Sequence, residues 1–173
     1  WAGTITVTKT SAVSSSISGR SYVGGIIGNF MNGTFTKNMA RANVTGTSQY
    51  DGGLAGYWNG GGTFADSYAT HDGTYGTITG TANVGGAIGA VNNSGVAQRI
   101  FSTGTVTSAG TKSGLIGSGS GTLSSAFWDT QTSGISAAGA GYGTTTAILQ
   151  DITPYLAKDF DFAATWAAPA TGG

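Results

Sequence analysis

The stretch SYVGGIIGNF, residues 21–30, returns as QYDGGLAGYW at 49–58, as ANVGGAIGAV at 82–91 and, with one glycine lost, as TKSGLIGSGS at 111–120. A catalytic loop is normally built once, whereas a phrase repeated at near-constant spacing marks a unit that stacks on copies of itself. The second glycine of each phrase, Gly25, Gly53, Gly86 and Gly114, recurs after 28, 33 and 28 residues. Two further columns keep the same beat: Ile17, Val44, Ile78 and Val106 upstream of the phrase, and Met39, Tyr68, Phe101 and Phe127 between phrases. From the latter column to the next β-branched marker is five residues in MARANV and in FSTGTV, but ten in YATHDGTYGTI. The long step is therefore one ordinary repeat plus a five-residue insertion at His71–Tyr75.

Each repeat reads as short extended segments rich in Thr, Val, Ile and aromatics, separated by Gly, Asn and Ser bends. No window carries a sustained helical stripe. Three short strands and tight corners in about 28 residues make one circuit of a solenoid, which buries its apolar face only by stacking on the next circuit about 4.8 Å away. The expected fold is all-β: a parallel β-helix of about four ~28-residue turns, ending near Gly28, Gly56, Gly89 and Gly117, with a C-terminal cap containing a short helix. Gly24, Gly25, Gly52, Gly53, Gly85, Gly86 and Gly114 are its expected corners, there to supply sharp bends and positive φ. The aliphatic pairs Ile26/Ile27, Leu54/Ala55, Ala87/Ile88 and Leu115/Ile116 are expected to fill the core, at least one per turn. Either the Met39–Phe127 column shares the outer face with the column two residues earlier, where Lys37, Asp66 and Arg99 alternate in sign as a charge ladder, or a bulge separates the two; the outer face is the favoured placement.

The expected division is solenoid repeats over 1–126, a capping segment over 127–166 and a linker-like tail over 167–173, within one structural domain. In the cap, Leu149, Ile152, Leu156, Phe160, Phe162 and Trp166 read as an apolar lid over an open end, which would otherwise expose strand edges. A helix is expected to start at Thr144 or Thr145 and to stop before Pro154.

Composition narrows the function. Seven Lys+Arg balance seven acids, all of them Asp, and charged residues make up 8% of the chain. That removes the electrostatic case for nucleic acid or an anionic membrane. No apolar run is long enough to insert in a membrane as a helix. With no Cys there is neither a disulfide framework nor a thiolate metal site, a count compatible with export. No cofactor or metal is expected.

The repeats YVGGIIG, YDGGLAG, NVGGAIG and KSGLIG, preceded by DSYATHDG and RIFSTGTV, resemble the GLUG-repeat modules of large exported bacterial surface proteins, including adhesins of the filamentous-haemagglutinin type. The closing segment AFWDTQTSGISAAGAGYGTTTAILQ resembles the Phe-Trp-Asp-Thr-Gln-Thr-Ser-Gly ending of such arrays, so the resemblance runs from about residue 15 to 166. It implies a β-solenoid on an exported, multi-modular protein and no catalytic residue set.

Chemistry offers little competition. His71 beside Asp72, near Ser67 or Tyr75, has the residue types of a general base and its partners, but one His in a loop makes neither a zinc site nor a triad. The expectation is no enzyme. It is a structural or adhesive module, a rigid spacer of a secreted or cell-surface protein, with a weak recognition patch. The alternatives are a carbohydrate-binding or carbohydrate-cleaving β-helix using aromatic turns, and a self-assembling extracellular filament subunit. Exposed Tyr and Trp beside Asn suit sugars or protein partners, so the candidate binding residues are Tyr57, Trp58 and Asn59 at one turn and His71, Asp72 and Tyr75 in the inserted loop. The expected partners are a host or neighbouring-cell glycan or protein, flanking modules, and further copies of the chain.

Overall fold

The computed structural model describes residues 3–136 and 140–167. Among these, every strand pair is parallel and the chain winds as a β-solenoid. One wall stacks the strands Ser11–Gly19, Met39–Gly46, Thr77–Gly80 and Thr105–Ser108. A short second wall stacks Val23–Gly24, Gln49–Gly52, Ala82–Gly85 and Lys112–Ser113. The third begins after the diglycine bend, with Ile27–Phe30 and Ala55–Trp58 under the first halves of Ile88–Ser102 and Ile116–Asp129. The last wall stacks Ile5–Thr8, Gly33–Thr36, Gly62–Ala69 and the second halves of those two long strands. Ala40 pairs with Ala69 and Val44 with Ile78, so the five extra residues fall between Ala69 and Ile78, as the spacing requires.

The diglycine corners lie in one line along the axis. A Cβ placed on Gly25 would collide with the carbonyl oxygen of Gly53, one on Gly53 with that of Gly86, and one on Gly86 with that of Gly114. These glycines do not have positive φ, contrary to the expectation. They are needed because each backbone lies on the carbonyl of the next turn. The left-handed positions are instead held by Tyr22, Tyr50 and Asn83 ahead of the phrase, and by Lys37, Asp66, Arg99 and Ser125 at the opposite corner, with φ between 49° and 65°. Non-glycine residues in that region cost about 1 kcal/mol or more each, a strain the stacked rungs impose on every turn. Beyond each bend, the carbonyl of Leu54, Ala87 or Leu115 accepts two N–H groups from the preceding turn, as Leu115 does from Ala87 and Ile88 at 2.9 and 3.0 Å. Both aliphatics of each phrase enter the core: Leu54, Ala55, Ala87, Ile88 and Leu115 are fully buried.

The main core holds Phe30, Phe35, Leu54, Trp58, Phe64, Ile88, Ile100 and Trp128. Phe35 stacks on Phe64 at 4.1 Å. A smaller core contains Val23, Val44, Ile78, Val84 and Val106. Asn38, fully buried at an inner corner, is satisfied: its Oδ1 accepts the Thr10 N–H, its Nδ2 donates to the Val7 carbonyl, and its own N–H donates to Ser67 Oγ.

The left-handed corner separates the charge column from the aromatic one, but both face outward as expected. Of the ladder, Asp66 and Arg99 form a bidentate pair at 2.6 and 3.0 Å; among the described residues Lys37 joins no ion pair, because it lies at an exposed corner.

The C-terminal segment departs from the expected lid. The last rung continues past 126 to Asp129, and Tyr142–Thr144 adds one more parallel strand. What closes the core is Trp128, whose ring lies on Gly114 and whose Nε1 donates to the Ile135 carbonyl at 3.1 Å. Asp129 caps a short helix, α1, Thr130–Ser133, accepting from the N–H groups of Gln131 and Thr132, and Gly134 ends it at φ 69°. Two further one-turn helices follow: α2 at Thr146–Leu149, whose N-cap Thr145 matches the expected start, and α3 at Thr153–Leu156, which was not expected. Pro154 lies inside α3 rather than after a helix, since a first-turn position tolerates its missing N–H. From there the chain runs back down the side of the solenoid as a strap over the aromatic column. Leu149, Phe160, Phe162 and Trp166 pack there with Tyr155, whereas Leu156 is 55% exposed and Ile152 only half-buried. Most of the expected tail, 168–173, is outside the described residues.

Asp51 interrupts a valine column, lying between Val23 and Val84 in register. It is fully buried, its carboxylate filling space that Gly46 and Gly80 leave by having no side chain. Its Oδ1 accepts the Val23 N–H at 3.4 Å and its Oδ2 has no partner.

Two expectations follow. Gly53→Ala or Gly86→Ala costs about 3 kcal/mol in denaturant unfolding or prevents folding, whereas Gly3→Ala, where a Cβ meets nothing within 4 Å, has no effect. Burial raises the Asp51 carboxyl above its ordinary 3.8, only partly offset by the Val23 N–H. A carboxyl raised on folding favours the folded state while protonated; that contribution is full below the ordinary value and is lost as pH climbs through the raised one. Asp51→Asn therefore gains thermal stability relative to the parent as pH rises from about 4 to 8, and Asp51→Val, which completes the valine column, gains about 1–3 kcal/mol at neutral pH.

Candidate functional site

The strap does not seal against the solenoid along its whole length. Between it and the inserted loop lies a groove of about 630 Å³, whose apolar wall is Tyr68, Phe101, Tyr155, Phe160 and Trp166 and whose polar edge includes His71, Thr103 and Gln150. Two sequence features build it. The aromatic column sets rings one above another, so Tyr68 and Phe101 stack at 5.0 Å with planes 6° apart. The five-residue insertion then bulges beside that column and brings His71 to the rim. Across the groove, Trp166 meets Tyr68 and Phe101, each at 5.6 Å, and Phe160 at 4.9 Å. Its Nε1 donates to Asp66 Oδ1 at 3.3 Å, so the Asp66–Arg99 pair also anchors the strap. The same contact with Asp66, with Asp159 close by, holds the Arg99 guanidinium even more firmly charged than usual.

The ionisable groups at this site are engaged in building it. His71 Nδ1 accepts the Gly73 N–H at 3.3 Å, and its backbone N–H donates to Thr103 Oγ1. Asp72 folds the loop tip by accepting the N–H groups of Thr74 and Tyr75, bonds that hold its carboxyl below the usual range, and it pairs with Arg41 at 3.3 Å. Asp129 is fully buried and accepts from Gln131, Thr132 and, at 2.6 Å, the Thr146 hydroxyl, which joins α1 to α2. Burial, with Asp129 nearby, pushes the Tyr155 hydroxyl up, and it donates to the Leu149 carbonyl at 2.9 Å. Ser67, one of the two hydroxyls considered beside His71, is fully buried and donates to the Ala65 carbonyl.

Of the candidate binding residues, His71 lines the groove, while Asp72 and Tyr75 belong to the adjoining loop. The Tyr57–Trp58–Asn59 patch does not form. Trp58 is fully buried against Phe30 and Phe64 in the main core. The register Phe30–Trp58–Val91 explains why, and those three apolar residues, each two positions after the last glycine of the phrase, were the sequence signal for it. Tyr57 is half-buried and packs with Tyr22 and Tyr50, so its ring faces are largely taken by other rings. Asn59 is half-buried and 3.5 Å from the Asn92 side chain. What the sequence did not reveal is the strap's share of the site, Tyr155, Phe160 and Trp166, because nothing local specifies which side of the stack the tail follows.

Comparison of the chain with protein-family models, with curated proteins and with solved structures finds no match. The site is therefore read from its own geometry. Trp58→Ala is expected to cost about 3–5 kcal/mol of global stability by opening a core cavity. Trp166→Ala should instead leave the solenoid's unfolding midpoint nearly unchanged while stripping hydrogen-exchange protection from amides in 146–160.

Proposed function

We propose that the chain is a non-enzymatic structural and adhesive module of an exported bacterial surface protein: a rigid GLUG-type solenoid that offers a weak recognition groove to a glycan or protein on a host or neighbouring cell. The observation that carries this reading is the groove's construction. Its recognition surface is a stack of aromatic rings on successive rungs, and His71, Asp129 and Tyr155 are bonded within the loop and strap. Aromatic rings flanked by a few polar groups suit the apolar face and hydroxyl rim of a sugar ring, or an anchoring side chain of a protein. Among the described residues lining it there is no Lys or Arg, which favours a neutral ligand over an acidic one. The FWDTQTSG segment supports the spacer role, since Phe127, Trp128 and Asp129 each serve closure of the stack. Head-to-tail filament growth is disfavoured, because Trp128 covers the bend on which another turn would sit.

A glycan array combined with a reducing-end assay tests the reading. Weak binding to neutral glycans is expected, lost in Trp166→Ala with the solenoid's circular dichroism intact, and without release of reducing ends. Released reducing ends would establish a carbohydrate-cleaving enzyme instead.

A further inference from the structure

Tyr22, Tyr50 and Tyr57 form a closed triangle of rings on the solenoid's surface. Their centroids lie 5.5 Å (Tyr22–Tyr50), 5.0 Å (Tyr50–Tyr57) and 5.4 Å (Tyr22–Tyr57) apart, with planes 20°, 15° and 29° from parallel. The arrangement comes from the fold. Tyr22 and Tyr50 hold the same left-handed corner position on successive turns, at φ 57° and 65°, and the strand after the bend carries Tyr57 back beside them. Tyr22 is 38% exposed and the other two are half-buried, so solvent reaches the cluster. Among the described residues no hydrogen-bond partner occupies any of the three hydroxyls. Three other tyrosines differ. Tyr155 is buried with its hydroxyl donated, Tyr68 stacks on Phe101 and Trp166 rather than on a phenol, and the ring neighbours of Tyr142 are Phe127 and Lys158.

We propose that this triangle is an oxidative cross-linking site, a modification site whose co-reactant is a one-electron oxidant of the peroxide class. Each of two neighbouring phenols gives up one electron and its hydroxyl proton to become a phenoxyl radical. The radicals couple through the ring carbons ortho to oxygen, forming one C–C bond. The two ortho C–H bonds then break as their protons return to the oxygens and both rings become aromatic again. The net change is loss of two hydrogens, and the peroxide takes up the two electrons and the two protons released from the phenols, its O–O bond breaking to leave two hydroxyl-bearing products. A link from Tyr22 to Tyr50 or Tyr57 staples the first turn to the second. In a chain with no Cys, such a bond restricts the unfolded ensemble as a disulfide would. It also does so where the stack is least covered, since Ile5 and Val13 of the first turn are exposed. The proposal rests on ring geometry alone and is independent of the groove.

The test is photo-oxidation of dilute full-length chain with persulfate and a ruthenium tris-bipyridyl sensitiser, followed by tryptic mapping. Cleavage at Arg20, Lys37, Arg41 and Arg99 puts Tyr22 on peptide 21–37 and Tyr50 with Tyr57 on peptide 42–99. The expected product is these two peptides joined at their summed mass less two hydrogens, with fragment ions placing the bond at Tyr50 or Tyr57. Tyr22→Phe, which keeps the stacking ring and the fold, should abolish that product and leave coupling between Tyr50 and Tyr57. The linked form should also unfold at a higher temperature than the unlinked one. An equal yield from denatured chain, links spread over Tyr68, Tyr75 and Tyr142, or dimers with no internal link would each overturn the proposal.

Discussion

The structure depends on one steric condition: at each diglycine bend the backbone of one turn lies directly on a carbonyl of the next, with no room for a Cβ between them. Meeting it at Gly25, Gly53 and Gly86 sets the turns close enough to hydrogen-bond along every wall. The core rungs, the aromatic column and the left-handed corners are then each repeated in line. A solenoid of this kind is held together by nearest-neighbour interfaces, so its ends decide how far order extends. Here the far end is closed from within by the Trp128 ring on Gly114.

The stack tolerates local cost where its neighbours enforce it. Lys37, Asp66, Arg99 and Ser125 all hold left-handed backbone at one corner, a conformation that glycine would hold without strain. The side chain pointing out from two of those corners is used: Asp66 binds Arg99 of the next turn and the Trp166 indole of the strap. Asp51 is the opposite case. Its carboxyl lies inside a valine column with one long hydrogen bond, and the glycines opposite it at 46 and 80 leave it space but no polar partner. Nothing in the structure assigns that buried acid a task.

The strap gives the molecule its one large asymmetry. By folding back along the aromatic column instead of across the end, it converts a row of exposed rings into a groove with a polar rim. Loop, strap and rungs are joined there through His71, Asp129 and Asp66, which is why the ionisable groups serve as fastenings.

Periodicity determined the turns, the place of the insertion and at least one aliphatic of each phrase in the core, because a repeated sequence can repeat its contacts only by stacking in register. Register arithmetic also contained the burial of Trp58, through Phe30 and Val91, though two polar-looking neighbours suggested a surface turn. Only the tertiary structure decided the strap's path, the isolation of Asp51 and the meeting of Tyr22, Tyr50 and Tyr57. Those depend on which side chains from different walls share a corner, and on which flank the non-repeating tail can bury its rings. Spacing along one chain carries neither quantity.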